Sequence, residues 1–398
     1  MRKNMGELRK YRIRDIDKLD WLLIVGLILA PMTGLRILKV GPAEAFCFIW
    51  SIFYVFKRRI TMNPIVKFFI VFFGSMLLGT VWGIIVTPQE VVLNHWLTWI
   101  YLAYISIIMY EALSGNTLEY NVNMFEFFSR GAAIWYLFLY VYSMFISKTF
   151  LGAPLWFYGY RFTGGATNPH QIALLMCGLT FYFLRNVFNR NQPVINAVFA
   201  AVCLFLELRT EASTGLASLL SSFLVLLFIL IGHLFTDRKI RNVVYFLECL
   251  GLLFVVALFH TYIYNTLMDW IMSDSNGVGR INLMHQITTS IRKGPIFGLG
   301  PGVHAFDLMG NAKEYHSTYL EIIASSGIVG MAGFIILSAR TFKKVAADDL
   351  FVPILVAIYV YGLGGFAIRR LIYWGFFIFI YVICEQIGKA RYEELPYE

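Results

Sequence analysis

The sequence is short of charge. Asp, Glu, Lys and Arg together make up 14% of 398 residues, against about 25% in soluble domains. This deficit excludes a soluble globular protein, and the apolar majority excludes a disordered chain. Cysteine is also scarce. The five present, Cys47, Cys177, Cys203, Cys249 and Cys384, lie in apolar runs without CxxC spacing. A disulfide framework or zinc site is therefore not expected, and they read as small buried hydrophobes. No HExxH pattern occurs among the seven histidines. No GxxxxGK[ST] loop, GxSxG elbow or paired carboxylate stands on a segment expected outside. A zinc protease, a P-loop ATPase and a serine hydrolase all lack their parts. Internal repeats and low-complexity tracts are absent as well.

What is present is apolar. The hydrophobic share is 59% and the mean hydropathy is +0.67. A transmembrane helix takes about 20 mostly apolar residues, and the apolar content suffices for about twelve. The runs are continuous instead of alternating, which excludes an outer-membrane barrel. The expected fold class is all-α, a polytopic transmembrane bundle of about 12 spans with one long external loop containing short helices. The expected spans are 20–36, 42–56, 65–86, 94–112, 131–147, 168–188, 193–208, 213–235, 243–265, 318–339, 350–366 and 369–387. The first follows a basic stretch as a signal peptide would. No small-residue cleavage site follows it, so it reads as a retained anchor.

Charge placement orients the bundle. The net charge of +9 is concentrated at one end, with Arg2, Lys3, Arg9, Lys10, Arg12, Arg14 and Lys18 preceding any span. That pattern points to a cytoplasmic terminus, not to nucleic acid. With the N-terminus inside, inward segments hold a two-to-one excess of Lys and Arg. The expected organisation is a basic cytoplasmic N-terminus (1–19), nine spans (20–265), a long external loop (266–317), three spans (318–387) and a cytoplasmic C-terminus (388–398). The expected location is a membrane, crossed many times, with both termini in the cytoplasm.

The outward cations break the positive-inside tendency and mark candidate sites. Arg161 opens RFTGGATNPHQ, where two glycines and Asn168-Pro169 precede a helix start, a suitable place for an anion. An arginine snorkelling at the interface is the plain alternative. Arg209 sits in LELRTEASTG, at a tight turn between spans and flanked by Glu207 and Glu211. Its alternatives are a local ion pair and a cation at a helix mouth. Arg280 lies in NGVGRINLMHQ, after Gly277 and Gly279, at the start of a loop helix over 279–292. Arg369 and Arg370 lie outside against the charge tendency, as contacts for a second phosphate or glycan or as interfacial anchors. His316 stands just before a span, with Ser317 as N-cap and Glu321 further inside, and a neutral imidazole there suits proton removal near pH 7. Planar guanidinium forks suit phosphate. The residues therefore point to an outward-facing site for a lipid-linked phosphate.

The run GPIFGLGPG, the His316-containing HSTYLE and the following SSGIVGM resemble the O-antigen polymerase and O-antigen ligase superfamily. RFTGGATNPHQ, the GR at Arg280, the span count and the long loop resemble it too, over residues 160–340. The resemblance implies a membrane glycosyltransferase of GT-C type, inverting, free of metal or other cofactor, using an undecaprenyl-pyrophosphate-linked oligosaccharide. It implies that His316 activates the acceptor hydroxyl and that Arg280, Arg209 and Arg161 bind pyrophosphate. A departure stands at Ala212-Ser213-Thr214-Gly215, where the family carries Ser-Arg or Ser-Lys before Gly, and Arg209 lies one turn earlier. The expected function is polymerisation of O-antigen or capsule repeat units, with membrane lipid and a chain-length regulator as partners and no role for nucleic acid. Two alternatives stay open: the ligase that moves glycan to lipid A core, and a lipid-linked glycan transporter or flippase.

Overall fold

The computed structural model describes residues 16–36, 40–56, 60–86, 93–272, 281–302, 304–306 and 312–393. Within them the chain is mostly helical: α1 (Asp20–Leu29), α2 (Pro42–Val55), α3 (Pro64–Val86), α4 (Leu93–Ser114), α5 (Leu118–Phe145), α6 (His170–Phe188), α7 (Pro193–Leu208), α8 (Ser213–Gly232), α9 (Arg238–Met272), α10 (Ile287–Lys293), α11 (Thr318–Val345), α12 (Val352–Gly364) and α13 (Leu371–Glu393). Each expected span falls on a helix. Seven, on α3, α4, α6, α8, α9, α11 and α13, are long and apolar enough to cross a membrane. The chain is a multi-pass membrane protein.

Four of the expected spans fall on short apolar helices of 10–17 residues. α1 has 10 residues, about 15 Å of rise against a hydrocarbon core of about 30 Å. Its expected extension to residue 36 fails at Pro31, which follows the helical cap residue Ala30 and has no N–H to carry the ladder on. α2, α7 and the segment Asp349–Gly364 are also short apolar helices. By contrast α9 runs 35 residues, to Met272, so helix occupies the first part of the expected external loop. α5 starts at Leu118, well before residue 131, because Thr117 caps it and accepts from the Tyr120 amide at 3.3 Å.

The expected all-α class needs a small correction. Two-residue strands form three antiparallel ladders: β1 (Thr149–Phe150) with β2 (Ala153–Pro154), β3 (Trp156–Phe157) with β4 (Arg161–Phe162), and β5 (Ala305–Phe306) with β6 (Ala312–Lys313). All lie in the two long connections. Such connections hold polar backbone that must find partners, and hairpins supply them locally.

The described chain divides into two compact units. The first comprises Met1–Ile70, Trp96–Ser222 and Ile335–Glu398. Its α6 is buried on nearly every face and packs on α7 and α12. Gly178 permits this, since a Cβ there would lie 2.5 Å from the Phe376 ring. At Asp20 the carboxylate accepts from Trp50 Nε1 (3.0 Å), Tyr54 hydroxyl (2.9 Å) and Tyr120 hydroxyl (2.6 Å), so its burial is compensated. Three cations expected inside are tied to carboxylates here: Arg130 to Glu126, Arg185 to Asp348 and Lys344 to Glu385.

The second unit comprises Val71–His95 and Phe223–Phe334. Its defining feature is a break in α11 at Gly327, with φ 62 and ψ −161. A broken helix leaves backbone groups open, which is tolerated at membrane depth only where protein satisfies them. The run Gly294–Gly300 does so. Leu299 N donates to Ala324 O (2.8 Å) and Gly300 N to Ser325 O (3.0 Å). Beyond the break, Ile328 N donates to Pro295 O (3.0 Å) and Val329 N to Ile296 O (3.2 Å). Ser75 hydroxyl donates to Ser326 O at 2.5 Å. Gly79 and Gly83 on α3 let the same run approach, since added Cβ atoms would lie 2.3 Å from Phe297 O and 2.5 Å from Leu299 O.

Candidate functional site

The first assembly of site residues lies in the first unit, on the connection between α5 and α6. Positive φ at Gly152 and Gly159 turns the chain through two hairpins, and β4 presents Arg161. The amide of Phe162 donates to the carbonyl of Arg209 at 2.9 Å, and Arg161 Nε donates to the carbonyl of Thr210 at 3.0 Å. The structure therefore brings Arg161 and Arg209 together. Trp156 completes the group. Its ring is held by Tyr140 (5.8 Å) and Phe162 (5.7 Å), with Tyr140 itself packed on Phe205 (5.1 Å). Two cations sit against this ring: Lys148 Nζ at 4.9 Å and Arg209 Cζ at 5.8 Å from its centroid.

The local ion pair considered for Arg209 does not form: neither Glu207 nor Glu211 pairs with it among the described residues. Glu207 is buried with its Oε1 close against Gly215 instead. By comparison Arg36, another outward cation, pairs with Glu44 at 3.5 Å.

The rest of RFTGGATNPHQ is anchored beside α1. Gly164 and Gly165 adopt φ of 55 and 87, and Gly34 N donates to Gly165 O at 2.9 Å. Gln171 Nε2 donates to Thr33 hydroxyl at 2.9 Å, and that hydroxyl also meets Thr167 at 3.1 Å. Asn168 Oδ1 accepts from the His170 amide at 2.8 Å, which opens α6 as the Asn-Pro pair predicted. Arg369 and Arg370 lie between α12 and α13, and the Arg369 guanidinium covers Phe366 at 5.7 Å from its centroid.

The second assembly lies in the second unit. His316 is exposed and has φ 53, a left-handed backbone that non-glycine residues seldom adopt. Strain of this kind concentrates at functional positions. The loop around it is firmly built. The Tyr315 amide donates to Glu321 Oε2 at 3.2 Å, while Glu321 N donates to Ser317 O at 3.0 Å, so the carboxylate of α11 reaches back over the helix start. Tyr315 is buried with Leu283, Ala305 and Ala324, and its hydroxyl meets Ser290 at 2.7 Å. Gln286 clasps β5 through both faces of Phe306, accepting from its N–H at 2.9 Å and donating to its carbonyl at 2.7 Å. The expected loop helix over 279–292 is helical over 281–285 and Ile287–Lys293. Arg280 lies outside the described residues.

Three groups had no sequence signal of their own. His304 is buried, and its Nε2 meets the Gly300 carbonyl at 2.7 Å. That nitrogen therefore carries the proton, and Nδ1 is the unprotonated one in the neutral ring. Burial lowers the pKa of His304 below the ordinary histidine value. His95 adds to this, and the Gly300 hydrogen bond opposes it. His95 Nδ1 pairs with Glu314 Oε1 at 3.4 Å, two residues before His316. In the first assembly Lys148 was visible only as one outward cation, and nothing in the sequence placed Trp156 beside it.

Residues 195–335 match the family model described as Wzy_C, O-antigen ligase. The matched stretch takes in Arg209, Arg280 and His316, and leaves out Arg161, Arg369 and Arg370. No curated protein compared with the chain matches it.

Proposed function

We propose, from a multi-pass membrane chain whose residues 195–335 carry the O-antigen ligase family domain, that this protein polymerises repeat units of a surface polysaccharide. The donor is a glycan on undecaprenyl pyrophosphate. The acceptor is a hydroxyl of a second lipid-linked repeat, at the outer face of the inner membrane. Both termini lie in the cytoplasm and the loop ending at residue 317 lies outside.

The reaction is a single displacement. The acceptor oxygen attacks the anomeric carbon, the bond from that carbon to the pyrophosphate oxygen breaks, and the configuration inverts. His316 accepts the hydroxyl proton. The leaving pyrophosphate takes the bonding pair, and Arg280, Arg209 and Arg161 balance its charge. Guanidinium groups supply this stabilisation without a metal ion, so the reaction is expected to survive EDTA.

The observation that carries this reading is the meeting of Arg161 and Arg209 on one turn. Arg130, Arg185 and Lys344 are engaged by carboxylates, whereas Arg161 spends one N–H on a carbonyl and Arg209 lies on an indole. Guanidiniums held in place without a carboxylate suit a ligand's phosphate.

The ligase reading shares every one of these residues and differs in acceptor. RFTGGATNPHQ and the absence of Ser-Arg before Gly215 favour the polymerase. Purified protein given only lipid-linked single repeats should build a ladder of two, three and more units. A protein that stays inert until lipid A core is added is a ligase. Deletion should leave surface lipid with a single repeat, whereas long polymer stranded on the carrier lipid would overturn the assignment.

A further inference from the structure

The cationic cluster on the α5–α6 connection holds more than the two arginines that the sequence singled out. Lys148 and Arg161 come from this connection and Arg209 from the end of α7: Lys148 and Arg209 meet on Trp156, and Arg161 binds the carbonyl of Thr210. Like charges gathered this way repel one another, and no ion pair to a carboxylate offsets the repulsion among the described residues. The neighbouring carboxylates are Glu207, buried with Oε1 against Gly215 and Oε2 without a donor among the described residues, and Glu211, which is exposed.

Two further N–H groups add unpaired donors to the cluster. The Nε of Arg209 and the Nε1 of Trp156 are both buried, and neither has an acceptor among the described residues. A buried donor without an acceptor costs about 1–3 kcal/mol, and native proteins seldom retain one without a reason. Two such donors on neighbouring side chains, beside an ammonium, call for a ligand rich in acceptor oxygens and negative charge. The indole is not free to move away. Tyr140 and Phe162 hold its ring, and Tyr140 is held in turn by Phe205. The hairpin tip beside it exposes Tyr158 and Tyr160, aromatic residues of the kind that sit at the membrane–water interface.

We propose that Lys148 and Trp156 complete, with Arg161 and Arg209, a shelf that binds a lipid-borne phosphate. Lys148 supplies a point charge at the open side. Trp156 fixes the spacing between Lys148 and Arg209, and its Nε1 donates to a phosphate oxygen. Arg161 is held by Thr210 through Nε and offers its terminal nitrogens. The ligand is the phosphate chain of the donor lipid, so the inference deepens the proposed function and rests on it. A phospholipid headgroup shares the same chemistry and is the competing source.

The test uses full-length protein in phosphatidylcholine nanodiscs, with labelled undecaprenyl pyrophosphate as the probe. Lys148→Gln and Trp156→Phe should each weaken binding about tenfold, equivalent to 1.4 kcal/mol. Lys148→Arg should stay within about twofold of the starting protein, since it keeps the charge. Trp156→Phe keeps an aromatic ring against Tyr140 and Phe162 but removes both the N–H and the second ring, so with the fold intact its loss reports the indole's donor and spacing together. Melting curves that match the starting protein check this directly. Unlabelled undecaprenyl pyrophosphate should displace the probe, and phosphatidylglycerol at equal mole fraction should not. Displacement by phosphatidylglycerol would overturn the donor-lipid assignment. Unchanged affinity in both Lys148→Gln and Trp156→Phe, with unchanged KM in polymer synthesis, would overturn the shelf and leave the proposed function standing. Lys148-dependent binding by a protein that makes no polymer would do the reverse.

Discussion

The backbone amide of Phe162 donates to the carbonyl of Arg209 at 2.9 Å, so the strand carrying Arg161 hangs on the turn carrying Arg209. Two cations far apart in sequence thereby share one support. Removing one catalytic charge donor typically costs about 3–4 kcal/mol. Arg209→Ala is expected to lower the rate by about two orders of magnitude or more, and Arg161→Ala by less, because one of its N–H groups is spent on Thr210. The double variant should lose less than the product of the single losses, since residues acting as a unit are not additive. Rates of ladder formation with purified protein measure all three, and strict additivity would show that the arginines act independently.

His316 combines exposure with a left-handed backbone. His316→Asn suits the test better than alanine, because asparagine tolerates positive φ. The variant should fold, insert and bind the donor lipid while losing transfer. Polymer made at a normal rate with equal protein in the membrane would remove His316 from the mechanism.

The contact between Gly298 and the break in α11 is close enough to be tested by a single methyl. Gly298 has φ 72, and its Cβ would lie 2.5 Å from the backbone of Ser325 and Ser326. Gly327 has φ 62, and its Cβ would lie 2.3 Å from Ile296 O. Alanine at either position meets both strain and overlap and should cost more than about 1 kcal/mol. The readout is a lower melting temperature in detergent, with faster proteolysis of the 294–317 loop. Gly74 faces open space, so Gly74→Ala is the control and should change neither.

His304 gives the loop a pH dependence of known sign. Its pKa is lowered on folding, so between the folded value and the unfolded value of about 6.5 the unfolded loop binds more protons. Local stability should therefore fall as pH drops below about 6.5 and be fully present above it. Amide protection factors across 304–306 and 312–317, corrected for the intrinsic pH dependence of exchange, should fall on acidification. His304→Phe should flatten that slope, and an unaltered slope would assign it to another group.

The external placement of the long loop has its own test. A cysteine placed at Lys313, which is exposed on β6, should react with an impermeant thiol reagent added outside intact spheroplasts. Labelling only after the inner face is opened would reverse the orientation and withdraw the site from the outer leaflet.

Much of the bundle was legible without coordinates. Each apolar run became a helix, because a chain in hydrocarbon must satisfy its backbone within each segment, and hydropathy reports that requirement directly. The start of α6 at Asn168-Pro169 was legible, whereas the start of α5 at Thr117 and the end of α1 before Pro31 were not. Residue 316 was placed before a helix start by the polar His-Ser pair and the apolar run behind it. The length of α9 was not legible, since a helix can continue past the apolar run that identifies it.

The candidate site was legible as residue types and not as a constellation. Outward arginines could be counted because charge placement across a membrane is a property of position along the chain. That Lys148 and Arg209 flank one indole, that Gly300 sets the tautomer of His304, and that Gly294–Gly300 caps a broken helix depend on which segments meet. Those meetings arise from close packing and hydrogen-bond satisfaction between distant parts of the chain, which only the tertiary structure decides.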